Sequence, residues 1–402
     1  MIGAGAVNAL RYPNFARFWL AQVISGFGDK ITILALAFVT WEITRSALST
    51  AIAVVISTVP YALFGLFGGA IADALGRRRA MVMCDVVRVA AIGVTPVLLA
   101  GGAPLSVIYA LVFAAAVCSA IFSPARMAIV PDIVPATGLG AGNSMLYASD
   151  RAVEIVGTLV AGVLVAILRE SAFYVDAATF AVSAWLLSRI SIAEVPGRSL
   201  SWSGVAGDAR DGLAALAGNA ALRANTILSV LAQLSLPVLN GLTPVLIFRE
   251  YGLGPEQYGA SEAAIALGAV VGSVAAPALF TRMPKGRLIL LGFVSFGAVL
   301  IAFASSPPFP LLLILFVLVG VTNVAFFVPN MTLIQEASPQ HLRAAVFGAR
   351  IALLNLTWIP VILWTASVAE TTSVPILIAG AGIVTLGVAL VGALIPSVRD
   401  VP

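Results

Sequence analysis

Apolar runs of about twenty residues recur from one end of the chain to the other, each closed by charges or by Pro and Gly. That is the length of helix that crosses the hydrocarbon of a bilayer. Such spans must be helical, because nothing in hydrocarbon satisfies a free backbone group. An outer-membrane barrel would instead show short alternating strands. Only 10% of the 402 residues are charged, where a soluble surface needs about a quarter. Lipid therefore replaces water over most of this molecule.

Punctuating the runs at their polar breaks predicts helices over 15–42, 47–72, 80–101, 104–124, 143–167 and 172–190. A second six follow over 225–248, 258–281, 287–305, 310–328, 344–367 and 373–395. The expected fold is an all-α integral membrane protein with 12 transmembrane helices in two pseudo-symmetric bundles, residues 1–190 and 225–402. The polar stretch 191–224 joins them. Within it Leu213, Leu216, Ala217, Ala220 and Leu222 fall near helical spacing opposite Asp208, Arg210 and Asp211. An amphipathic interfacial helix and a flexible tether are both compatible with that pattern. Pro237, Pro244 and Pro360 are expected to kink the seventh and eleventh helices.

Charge placement orients the chain. With the N-terminus inside, the even-numbered loops and both tails carry Arg11, Arg17, Arg77, Arg78, Arg79, Arg126, Arg189, Arg198, Arg210, Arg223, Arg282, Lys285, Arg287, Arg343 and Arg399. The odd-numbered loops carry only Arg45, Arg169 and Arg249. The positive-inside rule then puts both termini and the linker in the cytoplasm. Met1 to Phe18 reads as a short cytoplasmic lead without a cleavable signal pattern. The arginine-rich, lysine-poor usage suits a high-GC bacterium, and the expected location is the bacterial inner (cell) membrane, multi-pass.

Several chemistries are set aside. The dispersed basic residues point to no nucleic acid, and no Gly-x-x-x-x-Gly-Lys-Ser/Thr loop binds ATP. No His, Cys and acid cluster has metal-ligand spacing, and no aspartate-rich magnesium motif serves an intramembrane enzyme. His341 falls in a loop, and Cys84 and Cys118 read as small core residues. The expectation is a monomeric non-enzyme without metal or cofactor, whose partners are the lipid bilayer, a small-molecule substrate and a coupling proton.

An internal repeat supports two related halves. Phe122-Ser-Pro-Ala-Arg-Met-Ala-Ile-Val-Pro-Asp-Ile-Val-Pro135 matches Phe326-Phe-Val-Pro-Asn-Met-Thr-Leu-Ile-Gln-Glu-Ala-Ser-Pro339, with Phe, Met, an acid and Pro recurring at an offset of 204 residues. Repeated six-helix halves are the mark of a transporter whose binding site lies between them.

Between the second and third spans runs Gly69-Ala-Ile-Ala-Asp73-Ala-Leu-Gly76-Arg77-Arg78-Arg79. Gly69 permits close helix approach, Gly76 a tight turn, and Asp73 can face the positive N-terminus of another helix. An ordinary basic loop with a turn glycine is the bland alternative. The segment resembles the signature loop of the major facilitator superfamily; that resemblance implies Asp73 meets the helix starting near Ala344. The matching loop of the second half, Arg282-Met-Pro-Lys-Gly286-Arg287, lacks the acid. Asn14 to Gln22 with Ser25-Gly-Phe-Gly-Asp29, Cys84-Asp85-Val-Val-Arg88, the Pro124 to Pro135 segment and Phe173-Tyr-Val-Asp176-Ala-Ala-Thr-Phe180 are similar to the drug:proton antiporter branch that includes macrolide and enterobactin exporters. The fifth helix departs from that branch, with Gly157-Thr-Leu-Val-Ala-Gly162 lacking the usual Gly-Pro.

Ionisable residues inside spans are costly and mark function or pairing. Asp29, mid-way along the first helix, reads as a proton carrier or as a structural partner of Lys30. Asp150 and Glu154 share a face of the fifth helix with Arg151 beside them, a proton relay or a static charge cluster. Asp85 and Arg88 read as a pair near a gate. Arg350 needs an anionic partner, for which Asp73 and Asp85 are candidates, and is assigned to gating. Asp176 and Glu262 are placed near outer helix ends, within reach of water. Gln22 in the first half, and Gln233, Asn240, Asn323, Asn355 and Trp358 in the second, are assigned to a neutral cavity surface suited to a hydrophobic or amphiphilic substrate, with Trp364 a further candidate there or at the interface. The expected function is secondary, proton-coupled export of such compounds by alternating access. A dedicated exporter of a siderophore or lipid-like product is the alternative, and an uptake facilitator the less favoured third.

Overall fold

A computed structural model describes residues 6–192, 210, 213–280, 283–338 and 343–399, though not every side chain in them; those of Gly69, Asp73 and Asn355 lie outside the description. Twelve long helical segments run through the described residues. The first six are α1 (Pro13–Thr44), α2 (Ala47–Leu75), α3 (Arg77–Ala100), α4 (Leu105–Ala128), α5 (Leu139–Ala152, continuing through Val153–Gly157 into Thr158–Leu168) and α6 (Ala172–Ser188). The second six are α7 (Ala220–Gln233, then Ser235–Val245 and Leu246–Glu250), α8 (Pro255–Phe280), α9 (Lys285–Ala302), α10 (Phe309–Ala337), α11 (Arg343–Ala369) and α12 (Val374–Ala393). Eight helical stretches are long and apolar enough to cross a membrane on length and composition alone. The protein is an all-helical, multi-pass membrane protein.

Local chemistry explains the boundaries. Pro13 opens α1 at its first turn, where a missing N–H costs nothing. Arg45 then stops it in the left-handed region, its N–H bonded to Trp41 O. Gly76, at φ 83°, makes the turn from α2 into α3, a conformation that the predicted glycine supplies without strain. In α7 the interruption at Leu234 precedes Pro237, which lacks the N–H that would bond back to Gln233. Pro360 lies inside α11 without dividing its assigned helix. In α5, residues Val153–Gly157 form a π-helical turn, the wider coil that often marks functional sites.

The helices gather into two compact units. The first comprises Met1–Arg45, Ala53–Leu200 and Gly254–Gly259; the second comprises Ser46–Ile52, Ser201–Leu253 and Ala260–Pro402. Within the first, Phe15, Phe18, Met81, Ile129 and Leu187 form a buried core around the ends of α1, α3, α4 and α6. Within the second, Phe293 and Phe296 pack on Phe326 with ring centroids 4.9 and 5.5 Å away. Of the polar linker, residues 213–218 are helical with Leu216 buried and Leu213 exposed; Asp208 and Asp211 lie outside the described residues.

The repeat detected in the sequence has a structural counterpart. Asp132, after α4, takes a 2.9 Å ion pair from Arg77 at the start of α3. Glu336, near the end of α10, takes one of 2.6 Å from Lys285 at the start of α9. The two repeated acids perform the same task, each within its own unit.

Candidate functional site

The interior of the first unit is built around one guanidinium. Arg88, 2% exposed on α3, donates from Nη1 to Asp85 Oδ1 at 3.1 Å, one turn back on the same helix. From Nη2 it donates to Asp29 Oδ1 on α1 at 2.5 Å. Phe180 of α6 lies under its charge, with the ring centroid at 3.8 Å. Asp85, wholly buried, also accepts from Ser183 Oγ of α6 at 2.6 Å. Fixed donors thus surround a carboxylate whose burial would otherwise cost several kcal/mol. The partner of Asp29 is therefore Arg88, and Lys30 does not take that place.

Asp176 corrects its sequence assignment. It is 0% exposed, held against α1 in the interior of the unit and not reaching out to water at a helix end. Its Oδ2 accepts from the Thr32 hydroxyl of α1, and its Oδ1 lies 3.2 Å from the Thr179 hydroxyl. This approach of α6 to α1 depends on Gly28, where a Cβ would overlap both Asp176 Oδ1 and Thr179 Oγ1.

The charges of α5 face the same interior. Asp150 accepts from Arg126 Nη2 of α4 at 2.6 Å, and Arg151 is ion-paired with Glu154 one turn on. Asp150, Arg151 and Glu154, with Gln22, Asp29, Lys30, Arg88, Asp176 and Phe180, line a cavity of about 320 Å³. A 140 Å³ cavity shares Gln22, Asp29, Arg88 and Asp150 in its wall. Gln22 is buried, and its Nε2 has no hydrogen-bond partner among the described residues. The size falls at the lower end for a small-molecule pocket. Its lining carries the first-half charges that the sequence singled out, Asp29, Asp150, Arg151 and Glu154.

The signature loop is anchored within this unit. Arg77 Nη1 donates to Ala128 O at 2.8 Å as well as to Asp132. Arg78 Nη1 reaches the carbonyls of Ser188 and Ile190 at 3.2 and 3.1 Å. The two arginines tie the start of α3 to the ends of α4 and α6. The proposed contact of Asp73 lies outside the described side chains.

Residues 18–361 match the sequence model of the Major Facilitator Superfamily. The chain belongs to the major facilitator superfamily. Among its relatives, the "Multidrug efflux pump Tap" of Mycolicibacterium fortuitum is 27% identical over 82% of this chain and 82% of that protein. The "Lysophospholipid transporter LplT" of Yersinia enterocolitica is 27% identical over 84% of this chain and 81% of the relative. The solved structure of a mutant of the nucleoside transporter NupG superposes with a TM-score of 0.75 at 14% identity, covering 95% of this chain and 98% of that one. The last likeness shows the fold alone.

The second unit of this superfamily member has a different interior. Arg350 of α11, 2% exposed, donates from Nη2 to Asn330 Oδ1 at 2.7 Å. Asn225 donates to the same oxygen at 3.2 Å, and Asn330 Nδ2 reaches Ser229 Oγ at 2.5 Å. Arg350 therefore meets a neutral amide; Asp85, one of its two anticipated partners, belongs to Arg88. Gln233 is buried, Asn240, Asn323 and Trp358 are half-buried, and Trp364 is exposed on the surface of its unit. Glu262 is half-buried.

Sequence reasoning missed Thr32, Asp176 and Ser183 as members of the charged interior. The available signal was the small-residue stretch Ser25-Gly-Phe-Gly28 beside Asp29, which lets a second helix approach an acid closely.

Proposed function

We propose that this transporter is a secondary active exporter of hydrophobic or amphiphilic compounds, driven by protons moving the other way. The observation that carries the reading is the charged cavity, where Asp29 is 40% exposed at its side chain yet ion-paired to the buried Arg88. A proton on Asp29 removes the charge that holds Arg88, and Arg88 then has Asp85 as its remaining carboxylate partner. Glu154, paired to Arg151 across the same cavity, offers a second exchangeable pair, with Asp150 and Arg126 beside it. A coupling ion shifts a two-state carrier only through its different affinity for the two states. An acid that trades a proton for an arginine supplies that difference. The positive-inside bias supports cytoplasmic termini and linker in an inner membrane. Alternating access of two six-helix bundles, 1–190 and 225–402, with the signature-loop residues and Arg350 gating, completes the scheme.

The relatives support two readings of the substrate. Proteins named multidrug efflux pump Tap favour a broad substrate range, and those named lysophospholipid transporter LplT favour a dedicated lipid-like substrate. Dye transport by proteoliposomes of the purified chain, with and without an imposed proton gradient, separates the readings. Gradient-driven transport lost in Asp29→Asn supports proton coupling through α1. Movement indifferent to the gradient in both proteins contradicts it, and lysophospholipid movement without dye movement favours the dedicated carrier.

A further inference from the structure

Three carboxylates and one guanidinium meet where α1, α3 and α6 pack in the first unit. Arg88 spends Nη1 on Asp85 and Nη2 on Asp29, at 3.1 and 2.5 Å, and lays its face on Phe180. Asp176 has no ion pair with it; the described hydrogen-bond partners of its carboxylate are the hydroxyls of Thr32 and Thr179. Thr179 must divide its single proton between the Asp176 carbonyl, 2.7 Å away, and Oδ1. A carboxylate at 0% exposure is thus held by about one and a half neutral donors. A buried anion so supported is expensive, and taking up a cation removes the expense.

Access and selectivity follow from the same contacts. Asp176, Thr32 and Phe180 stand in the wall of the 320 Å³ cavity beside Asp29 and Arg88. The other charges lining that cavity are Lys30 of α1 and Asp150, Arg151 and Glu154 of α5; Asp85 reaches Asp176's neighbourhood through Arg88. Metal cations need roughly six oxygen ligands, and one carboxylate with two hydroxyls beside a guanidinium does not supply them. A proton needs one oxygen. Gly28 fixes the arrangement, since any side chain there would displace the carboxylate.

We propose that Asp176 of α6 is the proton-holding residue of the carrier, with the half-exposed Asp29, paired to the buried Arg88, as its exchange partner and Thr32 as its positioning residue. This rests on the proton-coupled reading and names where the coupling proton resides. The step is a single transfer: a proton from cavity water forms an O–H bond on the Asp176 carboxylate, and the same bond breaks when the carrier faces the other side. No electron moves and no other group is consumed.

The test uses the full chain in proteoliposomes with ethidium as probe. In Asp176→Asn, ethidium movement driven by an imposed proton gradient should fall by about tenfold, a typical coupling factor. Infrared difference spectra recorded while the pH is lowered should show, among the bands of protonated carboxylic acids, one carbonyl band in wild type that is missing from Asp176→Asn. A variant that keeps its gradient response, or the full carbonyl band, overturns the assignment of Asp176 alone. A wild type that ignores the gradient yet shows an Asp176-dependent band sinks proton coupling of ethidium, not the proton site. Should the Asn variant fail to reach the membrane, Thr32→Val keeps the acid and deletes its donor. The pH at which the band appears must then move, and an unmoved band overturns the proposal. Stimulation by a sodium gradient instead of a proton gradient, lost in Asp176→Asn, would also contradict it.

Discussion

The two units contain similar helices and very different interiors. In the first, buried charge answers buried charge: Arg88 holds Asp29 and Asp85, Arg126 holds Asp150, and Arg151 holds Glu154. In the second, the buried Arg350 is answered by the amide oxygen of Asn330, which is shared with Asn225. Acids that pair with arginines can be exchanged for protons, whereas an amide cannot take up a proton near neutral pH. Under the proposed proton coupling, the contrast puts the exchangeable acids in the first unit and a neutral hydrogen-bond network around the buried arginine of the second.

The comparison breaks first at the two arginines. Arg88→Ala leaves Asp29 and Asp85 without their cation and should cost about 3–5 kcal/mol, the usual penalty for deleting one member of a buried pair. Chemical unfolding of detergent-solubilised protein measures this. Arg350→Met, which removes a buried charge held among the described residues by one neutral hydrogen bond, should cost only about 1 kcal/mol by the same measurement. Equal losses at both positions would erase the distinction between the interiors.

Close helix packing gives the next, intermediate effect, and it sharpens the contrast. In the second unit a Cβ on Gly268 of α8 would overlap Val317 O, and one on Gly320 of α10 would overlap Ile265 O. Backbone meets backbone there, so Gly320→Ala should destabilise by about 1–3 kcal/mol with no pH signature. Gly28→Ala in the first unit collides with the side chains of Asp176 and Thr179. It should lower thermal stability by a similar or smaller amount and change the pH profile of transport as well. A pH profile identical to wild type would count against a functional role for that contact.

The smallest effect lies at the end of α11. Glu370 Oε1 accepts from Leu48 N at 2.9 Å and Ser46 Oγ at 2.7 Å, capping the start of α2 within the second unit. Burial raises its pKa, but these hydrogen bonds and the nearby Arg249 outweigh that and hold it below the usual glutamate range. A depressed pKa contributes stability above the unfolded value, and that stability is lost as pH falls through the folded one. Glu370→Gln should therefore be slightly less stable than wild type near neutral pH. The two melting curves should converge in acid, and a gap that widens there would refute the capping role.

Much of this was readable in the chain itself. The helices follow from unbroken apolar runs, because a bilayer leaves the backbone no alternative. The Gly76 turn, the Asp85–Arg88 and Arg151–Glu154 pairs and the matched acids Asp132 and Glu336 were legible because local spacing determines them. The Asp29–Arg88 pair was not, because it joins residues 59 apart and sequence carries no distance between helices. Asp176 was misplaced for a related reason. Its position near the start of α6 suggested water, and only the contact with Gly28 of α1 shows it buried. The Leu234 break in α7 followed from Pro237, but nothing in the composition announced the π-turn in α5.

The central claim is that carboxylates of the first unit exchange protons for transport. The most direct measurement is proton flux itself: a pH-sensitive dye trapped inside proteoliposomes, recorded as ethidium is added outside, in wild type and Asp29→Asn. The account predicts an ethidium-dependent change of internal pH in wild type that Asp29→Asn abolishes. Ethidium transport with no proton movement, or proton movement undiminished in the variant, would contradict it.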